Sequence, residues 1–117
     1  MRLEVKTPRS GGPGTFTASG AGLCRRGATR DTIFTLPSAA NHETVHLRKT
    51  FSCSDRSGTF VVEMRAHVAG THTHASGSWK IVSGSGAYAK LEGAGNLVTD
   101  VRPATFLDHF SGTVILG

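Results

Sequence analysis

The stretch Trp79-Lys80-Ile81-Val82-Ser83-Gly84-Ser85-Gly86-Ala87-Tyr88-Ala89-Lys90-Leu91-Glu92-Gly93-Ala94-Gly95-Asn96-Leu97 decides how the rest of the chain is read. An apolar segment ending at Ser83 runs into Gly84-Ser85-Gly86, an aromatic follows at Tyr88, and a second segment from Leu91 carries glycines at alternate positions. Glycine tolerates positive φ where other residues strain, so Gly84 to Lys90 reads as a tight connection between two strands. Gly93 and Gly95 fall on one face of the second strand and leave space for Trp79 or Tyr88 to lie across it. The same glycines do not form a P-loop, because they enter a strand rather than a helix and no lysine follows the second of them.

Outward from this hairpin, apolar alternation rather than a helical stripe is the repeated pattern, punctuated by Gly, Pro, Ser and Asn. It predicts eight strands: Arg2 to Lys6, Thr15 to Ser19, Thr29 to Leu36, Val45 to Cys53, Thr59 to Val68, Ser78 to Ser83, Leu91 to Val101 and Thr105 to Leu116. The connections between them are short enough for up-and-down antiparallel pairing. Closing such a sheet removes its edges, so an all-β, eight-stranded antiparallel closed barrel is expected, with a two-sheet β-sandwich as the alternative. A length of 117 residues fits one domain over the whole chain, and 15 glycines without a collagen period favour turns and bulges over helices.

Side-chain parity then says what lines the interior. Phe60, Val62, Met64, Ala66 and Val68 share one face of their strand. Val45, Leu47, Phe51 and Cys53 share another, with Lys49 in their midst, and Phe106, Phe110, Val114 and Leu116 share a third, with Asp108 in theirs. Trp79 with Ile81 and Leu97 with Val101 complete the lining. Burying Lys49 or Asp108 alone would cost several kcal/mol, about 3–5 by comparison with broken buried pairs, so the two are expected to pair or to sit near a barrel mouth. As functional groups they would be a base, Asp108, and a cation for developing negative charge, Lys49. A bulge that turns both toward water is the structural alternative.

The hairpin resembles the strand, turn and strand signature of allene oxide cyclase and dirigent barrels, over about a sixth of the chain. That resemblance implies a barrel that holds a hydrophobic small molecule and steers a reactive intermediate by confinement, without a cofactor, as a homodimer or homotrimer. Related bacterial barrels are cyclases of natural-product pathways. The candidate ligand contacts would be Phe60, Met64, Trp79, Tyr88, Phe106 and Phe110, with Lys49 and Asp108 as the catalytic candidates. The acidic and amide residues that plant cyclases use early in their strands have no matched position here.

Charge and the remaining reactive residues narrow the classes. The formal charge of +5 is dispersed, with Arg25-Arg26 as the basic doublet, and no interleaved aromatics suit base stacking, so no nucleic-acid partner is expected. No apolar run is long enough to span a bilayer as a helix, and no membrane partner is expected. Cys24 and Cys53 suit one disulfide, which implies an oxidising compartment, whereas Met1 to Lys6 shows no signal-peptide core. The cysteines are therefore bridged in a secreted protein whose leader has been removed, or reduced in a cytoplasmic one that starts at Met1. His67, His72 and His74 invite a metal reading, but no carboxylate or cysteine completes the spacing, and no metal site is expected. Two function classes stand: a cofactor-independent cyclase, isomerase or stereochemical guide, and a non-catalytic ligand-binding or oligomeric scaffold barrel.

Overall fold

Alternation of inward and outward side chains builds every element of this protein. A computed structural model describes residues 1–20, 22–35, 44–68 and 73–117. They form β1 (Arg2–Pro8), β2 (Gly14–Ser19), β3 (Arg26–Thr35), β4 (Thr44–Cys53), β5 (Gly58–Val68), β6 (His74–Gly86), β7 (Glu92–Val101) and β8 (Thr105–Ile115). Each strand pairs antiparallel with the next, and β8 returns to β1, with Leu3 opposite Phe110 and Val5 opposite Asp108. The result is a closed eight-stranded barrel without a free edge. Along β1 the inward residues are Leu3, Val5 and Thr7, all buried, while Arg2, Glu4 and Lys6 are exposed. On the expected inner faces of β4 and β5, Leu47, Lys49, Phe51 and Cys53 are buried on one and Phe60, Val62, Met64 and Ala66 on the other, with Val45 and Val68 half-buried.

Several boundaries differ from the sequence reading, and those of β6 for a physical reason. β6 starts at His74 rather than Ser78 and runs through Gly86 rather than stopping at Ser83. Gly77 reads as a loop residue, yet it lies opposite Ala66 inside the ladder. A Cβ there would collide with the carbonyl of Arg65, so this glycine serves a close approach of two strands, not a turn. Further along β6 the pairing jumps from Ile81 opposite Val62 to Ser83 opposite Val61, which leaves Val82 as the extra residue of a bulge. A second register shift at the end of β3 leaves Phe34 as the extra residue, exposed, with its ring 5.0 Å from that of His46.

The barrel's lower end is the one that holds Cys53, Gly58, Gly86 and Glu92, and aromatic rings fill its axis. Phe51 and Phe60 stack with centroids 4.8 Å apart, Phe16 meets Phe51 edge-on at 5.0 Å, and Tyr88 meets Phe60 edge-on at 5.5 Å. Phe110 bridges the stack to Trp79, with centroids 6.1 Å apart. Trp79 pairs with Gly95, and its Nε1 donates to the carbonyls of Asn96 at 3.0 Å and Ser111 at 3.1 Å. A Cβ on Gly112 would come within 2.8 Å of the indole, so a second strand supplies the glycine that makes room for it.

Cys24 and Cys53 form a disulfide, with Cα atoms 6.0 Å apart, that ties the segment before β3 to the end of β4. Closing a loop of this size stabilises a chain by roughly 3.6 kcal/mol on the entropy model. Cys53→Ser is therefore expected to lower the urea midpoint by an amount worth about 2–4 kcal/mol. Reductant should do the same to the parent protein and nothing to the variant.

Candidate functional site

Above the aromatic stack, the inward positions of β1, β3, β4, β7 and β8 turn polar at one level. β4 carries Lys49 inward between Leu47 and Phe51, and the residue is 1% exposed. Its direct neighbour across the β3–β4 ladder is Asp31, and Lys49 Nζ donates to Asp31 Oδ1 at 2.7 Å. The same ammonium lies 3.8 Å from Asp108 Oδ2 and 3.4 Å from the Thr7 hydroxyl. Thr99, opposite Asp108 on β7, donates its hydroxyl proton to Asp108 Oδ1. The two catalytic candidates from the sequence thus meet inside the barrel, joined by a third ionisable group.

Asp108 is 5% exposed, and burial pushes its carboxyl above the usual carboxylate range. The Lys49 cation and the Thr99 hydroxyl pull it back only in part. A carboxyl held this way is poised to keep or give up a proton, which is the chemistry expected of a general acid or base. Around the group, Val45, Val68, Val101 and Phe106 are half-buried at the upper end of the barrel, and the Arg9 guanidinium lies 5.7 Å from the Phe106 ring.

The candidate ligand contacts divide into three groups. Phe60, Met64, Trp79 and Phe110 converge on the axis, where each is at most 4% exposed and packs against the others and their neighbours. Phe106 stands at the upper mouth, half-buried. Tyr88 caps the lower end: its ring is buried against Phe60, and its hydroxyl accepts the Cys24 N–H at 2.8 Å. Below it lies an open depression of about 530 Å³, lined by Leu23, Arg25, Arg26, Asp55, Ser57 and Tyr88 among others.

Asp31 escaped the sequence reading because β3 offers no apolar stripe: Thr29, Arg30, Asp31 and Thr32 are polar on both faces. The signal that could have found it is its two-residue spacing from Thr29, which is buried on the same inner face.

Among the described residues, His74 and His109 meet on the exterior at the Asp100 carboxylate, at 2.9 Å and 3.7 Å, while His67 is exposed and His72 and His42 lie outside the described residues. Among the described residues, no group of three or more His, Cys, Asp or Glu is placed to hold a metal ion, and no helix is long and apolar enough to cross a membrane. Comparison with protein-family models, curated proteins and solved structures finds no match to this chain.

Proposed function

We propose that this protein is a solid-cored, disulfide-tied barrel that acts as a non-catalytic binding module and engages its partner molecules through its ends and exterior. The stacked pair Phe51 and Phe60, each 0% exposed on the barrel axis, carries this reading. An internal ligand chamber needs roughly 300 Å³ or more of room between such side chains, and rings in contact with one another leave their shared faces to no ligand. The trio of Lys49, Asp31 and Asp108 supports it too, because a cation already held at 2.7 Å by its own carboxylate is matched within the fold. The turn signature that resembles allene oxide cyclase and dirigent barrels fits a closed barrel equally well with or without a chamber.

The competing reading is a cyclase or isomerase that confines a hydrophobic substrate against Phe60, Trp79 and Phe110, with Asp108 as its acid or base. Titration with the fluorescent fatty acid cis-parinaric acid separates the two. A solid core gives no saturable binding and leaves Trp79 emission unchanged. Saturable, one-to-one binding with energy transfer from Trp79 would overturn the proposal and restore the chamber.

A further inference from the structure

We propose that the depression at the lower end is a binding site for a tetrahedral oxyanion, a phosphate or sulfate monoester of a small organic group. This rests on the reading above, that the barrel works through its ends, and names the chemistry of one of them.

Several observations converge there. Arg25 and Arg26, the basic doublet of the sequence, both line the depression, and both residues are exposed. No ion pair or side-chain hydrogen bond holds either guanidinium among the described residues, whereas Arg48 on the opposite half of β4 is paired with Glu63 at 3.1 Å. Asp55 is the acid among the lining residues, and its Oδ1 is engaged by the backbone N–H of Ser57 at 2.9 Å within its own turn. Cationic charge therefore exceeds anionic charge around the hollow.

The hydroxyls complete the donor set. Tyr88 is 4% exposed and is among the residues that line the hollow. Its hydroxyl oxygen accepts from the Cys24 N–H at 2.8 Å, which leaves its own proton to be donated, with Ser57 Oγ at 3.4 Å as its nearest hydroxyl neighbour. Ser54 also lines the rim, while the Ser57 side chain is hydrogen-bonded to Asp55 and holds that carboxyl below the usual carboxylate range. Two arginine residues, a phenol and the Ser54 hydroxyl offer more donors than the two oxygens of a carboxylate can accept, and suit the several acceptor oxygens of a phosphate or sulfate. Arginine forks match such groups in paired, planar contacts. A volume of about 530 Å³ exceeds that of a bare ion and accommodates the organic part of an ester.

The position is fixed by the fold. The disulfide holds Cys24, whose N–H orients the Tyr88 hydroxyl, and the tight turn through Gly86 presents Tyr88 to the lower end. Gly86 adopts φ +61°, in the region that favours glycine.

Backbone amide NMR of the ¹⁵N-labelled protein at low salt tests this directly, with phenyl phosphate and phenyl sulfate in separate titrations and acetate as the carboxylate control. Saturable shifts centred on Cys24, Arg26 and Ser57 are expected, with acetate weaker. Arg25→Ala/Arg26→Ala should weaken binding by about tenfold or more, because charge-assisted hydrogen bonds are lost, and Tyr88→Phe by severalfold with the fold unchanged. The relative strength of the two esters assigns phosphate or sulfate as the preferred group. Shifts that do not saturate by about 10 mM, that spread over the whole basic exterior, or that persist in the arginine variant would overturn the site. Such a failure leaves the solid-core reading standing if cis-parinaric acid also fails to bind, and only internal binding of that probe removes both.

Discussion

Replacing Lys49 by methionine is expected to lower the free energy of unfolding by about 3–5 kcal/mol at pH 7, the cost of stranding buried charge when one partner is removed. Domains of this kind are held by about 5–15 kcal/mol in total, so the variant should sit near the edge of folding. The loss follows from geometry: the ammonium lies 2.7 Å from Asp31 and 3.8 Å from Asp108, and without it the buried Asp108 carboxyl keeps the repulsion of Asp31 and loses its cation. The deficit should shrink on acidification. Asp108 titrates above its ordinary 3.8 in the folded protein because of burial, and Lys49 is what restrains that rise.

A raised carboxyl binds its proton more tightly folded than unfolded. Its contribution to stability is therefore fullest below the unfolded value and is lost as pH climbs through the folded one. The methionine variant, with Asp108 raised further, loses more over that climb than the parent does. Urea midpoints between about pH 4 and pH 8 measure both slopes. In the parent, Asp108→Asn should remove this group's share of the pH dependence. In the Lys49→Met background it should return a large part of the lost stability, since coupled neighbours are not additive. A Lys49→Met variant within about 1 kcal/mol of the parent at neutral pH would show that the trio is not held as described.

Truncating Phe60 to alanine should cost about 3–5 kcal/mol, the range for a fully buried aromatic whose neighbours relax only in part. Phe60 has no exposure, stacks on Phe51 at 4.8 Å, and receives the edges of Phe16 and Tyr88. Phe51→Ala should cost a similar amount. A double-mutant cycle should recover a coupling of about 0.5–1.5 kcal/mol for the stacked pair, beyond the area each ring buries. A loss below about 1.5 kcal/mol for Phe60→Ala would mean that the axis is loosely filled, contrary to the contacts seen.

Where one face of a strand was apolar, its residues could be placed from sequence. On β5 the run Phe60, Val62, Met64, Ala66 left a single choice of inner face, and the two-residue period carried the assignment through. The same period placed Lys49 and Asp108 inside although their charge argued for water, because Leu47 and Phe51 on one side and Phe106 and Phe110 on the other fixed the parity. It failed where both faces are polar, and Asp31 on β3 went unnoticed for that reason. The glycines were legible in kind but not in partner. Gly93 and Gly95 read as leaving space for Trp79 or Tyr88, yet the glycine whose Cβ would meet the indole is Gly112 of β8, and only the pairing of β7 with β8 brings it there. The hollow beneath Tyr88 was illegible, since three segments distant in sequence meet only after the barrel closes and the disulfide forms.

The direct facing of Lys49 and Asp31 across β3 and β4 constrains assembly in a way that hydrophobic alternation does not. Sliding one strand by a single position turns its core residues outward and is forbidden at once, but sliding by two keeps every apolar side chain indoors. With Lys49 moved two places, its ammonium would stand beside a neighbour unable to answer its charge, and the misaligned cylinder would bear an uncompensated ion. The embedded lysine thereby acts as a vernier mark, selecting one stagger from a set that greasy residues alone would leave degenerate.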